Sequence, residues 1–229
     1  MTTFVLVHGS WHGAWCWQRV IPELTRLGHR ASAVELPSDQ VTATTADLAA
    51  AISARISEPE DTVLVAHSMS GLVAPVVASA LPLRELVFLA GLLPLPGSSW
   101  LDQVRTVPTM APEWGTYFPR QRRDAEGRTF WTARDAAELF YHDCPPEDAA
   151  AAVARLRPQG TKATAETTPL RAFPDVPSRY LVCRQDRTVS GDWAAPTAVE
   201  RFGAAVEYLD SSHSPFWSRP TELAAVLAG

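Results

Sequence analysis

The stretch Thr62-Val63-Leu64-Val65-Ala66-His67-Ser68-Met69-Ser70-Gly71 decides how the rest of the chain is read. Residues 62–66 are continuously apolar or β-branched, the pattern of a short strand buried on both faces of a sheet. The run stops at Ser68, and a helical stretch from about Gly71 to Ala80 follows at once. A serine at such a junction has two readings. It caps the helix by accepting from a first-turn N–H, or it is held up at the sheet rim as a nucleophile. The flanking residues favour the second. Ala66 and Ser70 are small, as a tight turn against a neighbouring strand and helix requires, although glycine is the usual occupant of both places.

Outward from this junction the chain alternates. Phe4–Val7 reads as a strand ending in His8-Gly9-Ser10, followed by a helix from Trp15 to Leu27 that Gly28 ends. Ala31–Leu36 is the next strand, stopped by Pro37. Thr44 or Thr45 caps a helix with apolar residues at Leu48, Ile52 and Ile56, and Leu86–Ala90 is a fourth strand. The rhythm resumes late in the chain, with strands at Arg179–Cys183 and Val206–Leu209 and helices at Ala195–Phe202 and Pro220–Leu227. Strand and helix in alternation predict right-handed βαβ units, and so an α/β fold with a mostly parallel central sheet flanked by helices. Residues 94–175 break the pattern. They hold many prolines, the aromatics Trp100, Trp114, Tyr117, Phe118, Phe130, Trp131, Phe140 and Tyr141, and helices near Ala133–Tyr141 and Pro146–Leu156, but no convincing strand. The expectation is one domain, residues 1–229, whose 94–175 insertion forms a helical lid over one edge of the sheet.

Composition narrows the function. With 46% hydrophobic and 20% charged residues the chain is not disordered, and a net charge of −5 argues against nucleic acid as a partner. Cys16, Cys144 and Cys183 are widely spaced and lack a CxxC pair, so free thiols in a reducing compartment are expected. No basic n-region precedes the first strand, and no apolar run is long enough to span a bilayer. A cytoplasmic protein without a membrane partner is the expectation. No metal-ligand cluster, phosphate loop or dinucleotide fingerprint is present, so neither metal nor cofactor is expected.

A serine hydroxyl needs a base in hydrogen-bond reach, and the base needs an orienting acid. Of six histidines, His67 adjoins Ser68 but points away from it, and His29 reads as a turn residue. His213 lies in Asp210-Ser211-Ser212-His213-Ser214-Pro215, just past the last strand, where open parallel sheets place their sites. It is the candidate base. Asp186, in the loop after Arg179–Cys183, is the candidate acid, with Asp192 and Asp210 as competitors and a solvated turn aspartate paired with Arg184 or Arg187 as the plain alternative. The order Ser68, Asp186, His213 suits nucleophile, acid and base. The Met69 and Ser10 amides are candidate oxyanion donors, Gly9 letting the backbone turn there, and the Ser10 hydroxyl is a candidate pocket group. His12 and His142 are candidate polar pocket residues, while Trp11, Trp15 and Trp17 read as packing.

With these residues in place, the chain resembles the α/β-hydrolase superfamily, and within it the lid-bearing branch of plant methylesterases and hydroxynitrile lyases with their bacterial relatives. The resemblance rests on residues 4–17, 63–71, 86–90, 180–186 and 212–220, and in the insertion on 141–157. It implies a triad of Ser68, Asp186 and His213, with oxyanion donors Ser10 and Met69. Hydroxynitrile lyases of this type carry a lysine after the base and a threonine at the first His-Gly glycine. Ser214 and Gly9 stand there instead, which points to ester chemistry.

The expected activity is hydrolysis of a small or medium apolar carboxylic ester, with methyl ester, thioester or lactone as candidates, through an acyl-enzyme. Gly9, His12, Trp131, Tyr141 and His142 are the expected substrate contacts, and the aromatic lid supplies an apolar pocket. A lyase or cyclase using the triad as acid–base, and a ligand-binding protein with a slow triad, are the rival readings. The sequence leaves the oligomeric state open, a homodimer being compatible with it.

Overall fold

Six parallel strands form the central sheet of the computed structural model, which describes residues 1–229. They are β1 (Thr3–Val7), β2 (Arg30–Val34), β3 (Thr62–His67), β4 (Glu85–Leu89), β7 (Ser178–Cys183) and β8 (Ala205–Leu209), in the spatial order β2-β1-β3-β4-β7-β8. A separate two-stranded hairpin pairs β5 (Arg122–Arg123) with β6 (Thr129–Phe130). The helices are α1 (Val20–Arg26), α2 (Thr45–Ser53), α3 (Ala74–Ala78), α4 (Trp100–Thr106), α5 (Trp114–Tyr117), α6 (Ala133–Phe140), α7 (Pro146–Val153), α8 (Lys162–Ala165), α9 (Gly191–Phe202), α10 (Pro215–Ser218) and α11 (Pro220–Ala228).

Side-chain alternation along the strands divides the core in two. Val5, Val7, Leu64, Ala66, Leu86, Phe88, Tyr180 and Val182 pack on one face with residues of α2, α3 and α9. Phe4, Leu6, Val63, Val65, Val87, Leu89, Leu181 and Cys183 pack on the other with α1, α6, α10 and α11. All six residues of β3 are buried, as its unbroken apolar run demands of a central strand covered on both sides. Thr44 caps α2 by accepting from the Asp47 amide, while the Asp47 carboxylate accepts from the Thr44 amide.

The sheet grows from its middle. The chain passes from β1 outward to β2, then returns to the other side of β1 for β3 and continues through β4, β7 and β8. The order therefore reverses between β1 and β3, and the crevice beyond their carboxyl ends is where such sheets bind ligands. Register brings Val7 beside Ala66, so that His8-Gly9-Ser10 leaves the sheet next to His67-Ser68.

Several boundaries differ from the sequence expectation. The first helix opens as a 3-10 turn, Ala14–Arg19, before α1. The helix after Ser68 likewise begins as a 3-10 turn, Ser68–Leu72, and Pro75, which has no N–H to give back to that turn, stands in the first turn of the α3 that follows. The segment between β4 and β7 contains the β5–β6 hairpin where no strand was expected. Two-residue strands are too short to show a period. No helix is long and apolar enough to cross a membrane, and Cys16, Cys144 and Cys183 are all free.

Gly71 marks the closest approach in the fold. A Cβ at this position would lie 2.4 Å from the Leu92 carbonyl oxygen and 3.0 Å from the Leu92 nitrogen, both backbone atoms that cannot swing aside. Gly71→Ala is expected to lower stability by about 1–3 kcal/mol, read as a reduced urea midpoint with an unchanged m-value. An unaltered midpoint would show that the turn after β4 yields freely.

Candidate active site

Ser68 leaves β3 in the left-handed region, with φ +53°. For a non-glycine residue such a conformation costs on the order of 1–3 kcal/mol and survives only where its surroundings enforce it. Three contacts do so here. The Ser68 carbonyl accepts from the Leu92 amide at 2.9 Å. The Ser70 hydroxyl lies 2.8 Å from the His67 carbonyl oxygen and 3.2 Å from that of Val7, tying the turn to the end of β1. Gly9 presses against the turn so closely that a Cβ on it would stand 2.7 Å from the Ser68 Cβ. Close approach, rather than the turn expected from the sequence, is what requires glycine at 9. The left-handed residue in that loop is Trp11, with φ +62°.

Asp186 and His213 meet because β7 and β8 are neighbours whose exit loops remain joined. Cys183 registers with Leu209. Past the strands, the Arg184 amide donates to Leu209 O at 2.8 Å and the Gln185 amide to Ser211 O at 3.0 Å. His213 Nδ1 donates to Asp186 Oδ2 at 2.7 Å, with both side chains almost wholly buried. Asp186 Oδ1 accepts the Thr188 and Val189 amides at 2.7 and 3.1 Å. The carboxylate is thus oriented by two backbone donors and spends its remaining oxygen on the imidazole. The competitors stand elsewhere, Asp192 exposed on α9 and Asp210 against Arg184 at 3.4 Å. Arg187 donates to the Glu138 carbonyl instead.

His213 is also gripped from outside the sheet. The Ser212 amide donates to Asp143 Oδ2 at 3.0 Å, and the Ser212 hydroxyl to Phe140 O at 2.9 Å. His67 Nε2 donates to the His213 carbonyl at 2.9 Å, and the two rings lie 4.6 Å apart. His67 is fully buried, and burial holds its pKa well below the ordinary histidine value, with His213 beside it acting in the same direction. It is therefore a neutral donor to the backbone. Asp143 and Phe140 gave no sequence signal, since their partner is about seventy residues away.

The loop bearing Ser10 leaves the sheet beside the Ser68–Met69 turn, and neither the Ser10 nor the Met69 amide is a donor in the turn and loop bonds around it. The Ser10 carbonyl accepts from His12 Nδ1 at 2.7 Å, and the Tyr141 hydroxyl donates to His12 Nε2 at 2.6 Å. Burial drives the His12 pKa down from 6.5 to about 3, so the ring is neutral. With both nitrogens committed and its ring packed on Trp15, His67 and Phe216, His12 supports the loop. Tyr141, fully buried, is bound to the same task. His142 is half-buried near Asp186 and Arg187, and its pKa is lowered first by burial and then by Arg187.

Trp131 belongs to an aromatic cluster. Its ring lies 5.6 Å from Trp11 and 5.4 Å from Trp114, and Phe140 continues the cluster to His213 at 5.8 Å. Beside the cluster lies an apolar groove of about 570 Å³ between α6 and α7, walled by Trp11, Phe130, Trp131 and alanines of both helices. Ser68 lines neither this groove nor the more polar cavity of about 520 Å³ behind Asp186, and it is itself buried.

Neutral burial of His12 and His67 has a pH signature. The unfolded chain takes up a proton on each near pH 6.5, whereas the folded chain resists until near pH 3 for His12. Stability is complete above the unfolded value and falls with pH below it, by about 1.4 kcal/mol per pH unit per histidine. His12→Gln is expected to reduce the slope of unfolding free energy between about pH 6 and 5 by close to one proton. Identical slopes in variant and wild type would contradict the neutral assignment.

Comparison with known proteins agrees with this geometry. The family model described as "Alpha/beta hydrolase family" matches residues 4–226. Methylesterase 7 of Arabidopsis thaliana is 31% identical, the match covering 98% of this chain and 94% of that protein. Methyl jasmonate esterase 1 of Vitis vinifera is 29% identical over 98% of this chain and 94% of its own length. A crystallised pyrethroid hydrolase from Sphingobium faniae superposes with a TM-score of 0.80 at 23% identity, covering 99% of this chain and 96% of that one. Family match, parallel sheet and strained serine turn coincide over nearly the whole length, and the chain belongs to the alpha/beta hydrolase family.

Proposed function

We propose that the protein is a carboxylic ester hydrolase working through Ser68, His213 and Asp186. The observation that carries this reading is the buried Asp186–His213 pair, held at the same sheet rim as a serine in left-handed backbone. With Nδ1–H given to Asp186, the imidazole keeps its Nε2 lone pair for the Ser68 proton. Ser68 Oγ attacks the ester carbonyl carbon as His213 takes that proton. The free Ser10 and Met69 amides receive the oxyanion. His213 then protonates the departing alcohol, and a water activated by the same imidazole releases the acid and regenerates Ser68.

Two features favour an ester over a cyanohydrin. A side chain at Gly9 would collide with Ser68, and Ser214 is a fully buried neutral residue, so no cation follows the base to hold a leaving cyanide. The names of the relatives, methylesterase and methyl jasmonate esterase, support a methyl or similarly small ester. The apolar half of the substrate belongs with the Trp11–Trp131–Phe140 cluster and the alanine-walled groove. The 94–175 segment acts as the lid, and the buried Ser68 corresponds to its closed state. We place the enzyme in the cytoplasm.

The test is a panel of p-nitrophenyl and methyl esters of increasing acyl length, assayed with wild type, Ser68→Ala and Asp186→Asn. Ser68→Ala is expected to lose about 10⁴-fold or more in kcat, and Asp186→Asn about 10³–10⁴-fold, with smaller changes in KM. Full turnover by Ser68→Ala would remove the nucleophile assignment, and a wild type that cleaves no ester of the panel but splits an added aromatic cyanohydrin would favour the lyase reading.

A further inference from the structure

Resting on the ester-hydrolase reading, a second inference concerns what aims the Ser10 amide. The backbone around it is clamped peptide by peptide. The Gly9 carbonyl, which shares a peptide plane with the Ser10 N–H, accepts from His8 Nδ1 at 2.8 Å. The next plane joins Ser10 to Trp11. Its carbonyl is held by His12 at 2.7 Å, and its N–H, belonging to Trp11, donates to Gln159 Oε1 at 3.2 Å. Trp11 is the residue with φ +62°, a conformation that a tryptophan does not keep unaided.

Gln159 comes from the far end of the insertion, 148 residues from Trp11, and its side chain is buried. It is itself fixed. Its Nε2 donates to the Gly160 carbonyl at 2.9 Å, and its backbone exchanges two 2.8 Å bonds with Thr129. The Trp11 indole donates to Thr129 O at 3.1 Å, and the Arg157 amide donates to the Trp11 carbonyl at 2.9 Å. The insertion therefore grips Trp11 at its amide, its carbonyl and its ring. From the core side the loop is held by the packing of Gly9 against Ser68 and by the His8 and His12 bonds to the Gly9 and Ser10 carbonyls.

We infer that Gln159 is a positioning residue that sets the oxyanion site: by accepting from the Trp11 amide it fixes the Ser10–Trp11 peptide plane, which adjoins the plane carrying the Ser10 N–H, and so holds Ser10 in the backbone conformation that turns this N–H toward the reacting carbonyl oxygen. It touches no reacting atom. Its consequence is that the oxyanion donor is complete only while the 157–160 segment is seated on Trp11, so that seating the insertion and readying the catalytic centre are one event.

The experiment compares wild type, Gln159→Leu, Gln159→Ala and Gln159→Glu on the best ester of the panel, with Ser68→Ala as control. Leucine fills the space without an acceptor, whereas glutamate, kept protonated by burial, has an oxygen at the Oε1 position and an O–H for the Gly160 carbonyl. Gln159→Leu is expected to lose about 10–100-fold in kcat with KM within about 3-fold, less than deleting an oxyanion donor outright. Affinity for a trifluoromethyl ketone, which becomes an oxyanion on Ser68, falls in the same proportion, while inhibition by the product carboxylate is unchanged. Gln159→Glu restores most of kcat. Should Gln159→Leu melt below the assay temperature, Gln159→Ala carries the same readings. Unchanged kcat and ketone affinity in Gln159→Leu would overturn the inference, as would a parallel loss of ketone and carboxylate binding, or a glutamate variant no better than leucine. Full activity in Ser68→Ala, by contrast, would overturn the hydrolase reading beneath it.

Discussion

Contact between Gly9 and Ser68 is the constraint from which the rest of the site follows. Because β1 and β3 are adjacent and in register from Val7 to Ala66, the two loops leaving them have nowhere to diverge. One must present no side chain and the other must bend sharply. Gly9 answers the first demand and the left-handed backbone of Ser68 the second. A strand order that reverses between these two strands opens the crevice in which a carbonyl can approach both. The strain at Ser68 is repaid by ordinary interactions on every side, from Leu92, Ser70 and the buried sheet.

A second theme is the use of buried histidines as backbone fasteners. His8, His12 and His67 are all buried, and each holds a main-chain carbonyl beside the serine turn: those of Gly9, Ser10 and His213. Burial keeps His12 and His67 uncharged, which spares the interior unpaired cations, whereas His213 is paired with the buried Asp186 carboxylate. The insertion adds a further set of fasteners. Ser212 is tied to Phe140 and Asp143, and Trp11 to Thr129, Arg157 and Gln159. Core and insertion thus share the support of the loops that flank Ser68.

The sheet was legible in the chain because its strands are short apolar runs cut off by Gly, Pro and Ser, as Phe4–Val7 and Thr62–Ala66 illustrate. The pairing of Asp186 with His213 was legible too, since both follow strand ends and parallel neighbours deliver such loops to one rim. What could not be read was any contact across the insertion. Tyr141 meets His12 across 129 residues and Gln159 meets Trp11 across 148, and no periodicity encodes such distances. The tryptophan at position 11 reads as packing material, although its backbone is the strained element. Four-residue α10 and the two-residue strands β5 and β6 lie below the length at which a pattern exists.

The central claim is that the hydroxyl at 68 becomes covalently acylated, and trapping the adduct tests it most directly. Wild-type protein treated with a fluorophosphonate should gain one phosphonyl group by intact mass. Fragmentation should place it on the peptide bearing Ser68, with labelling slowed when a good ester competes. A protein that turns over esters while remaining unlabelled, or that carries the adduct on another residue, would contradict the account.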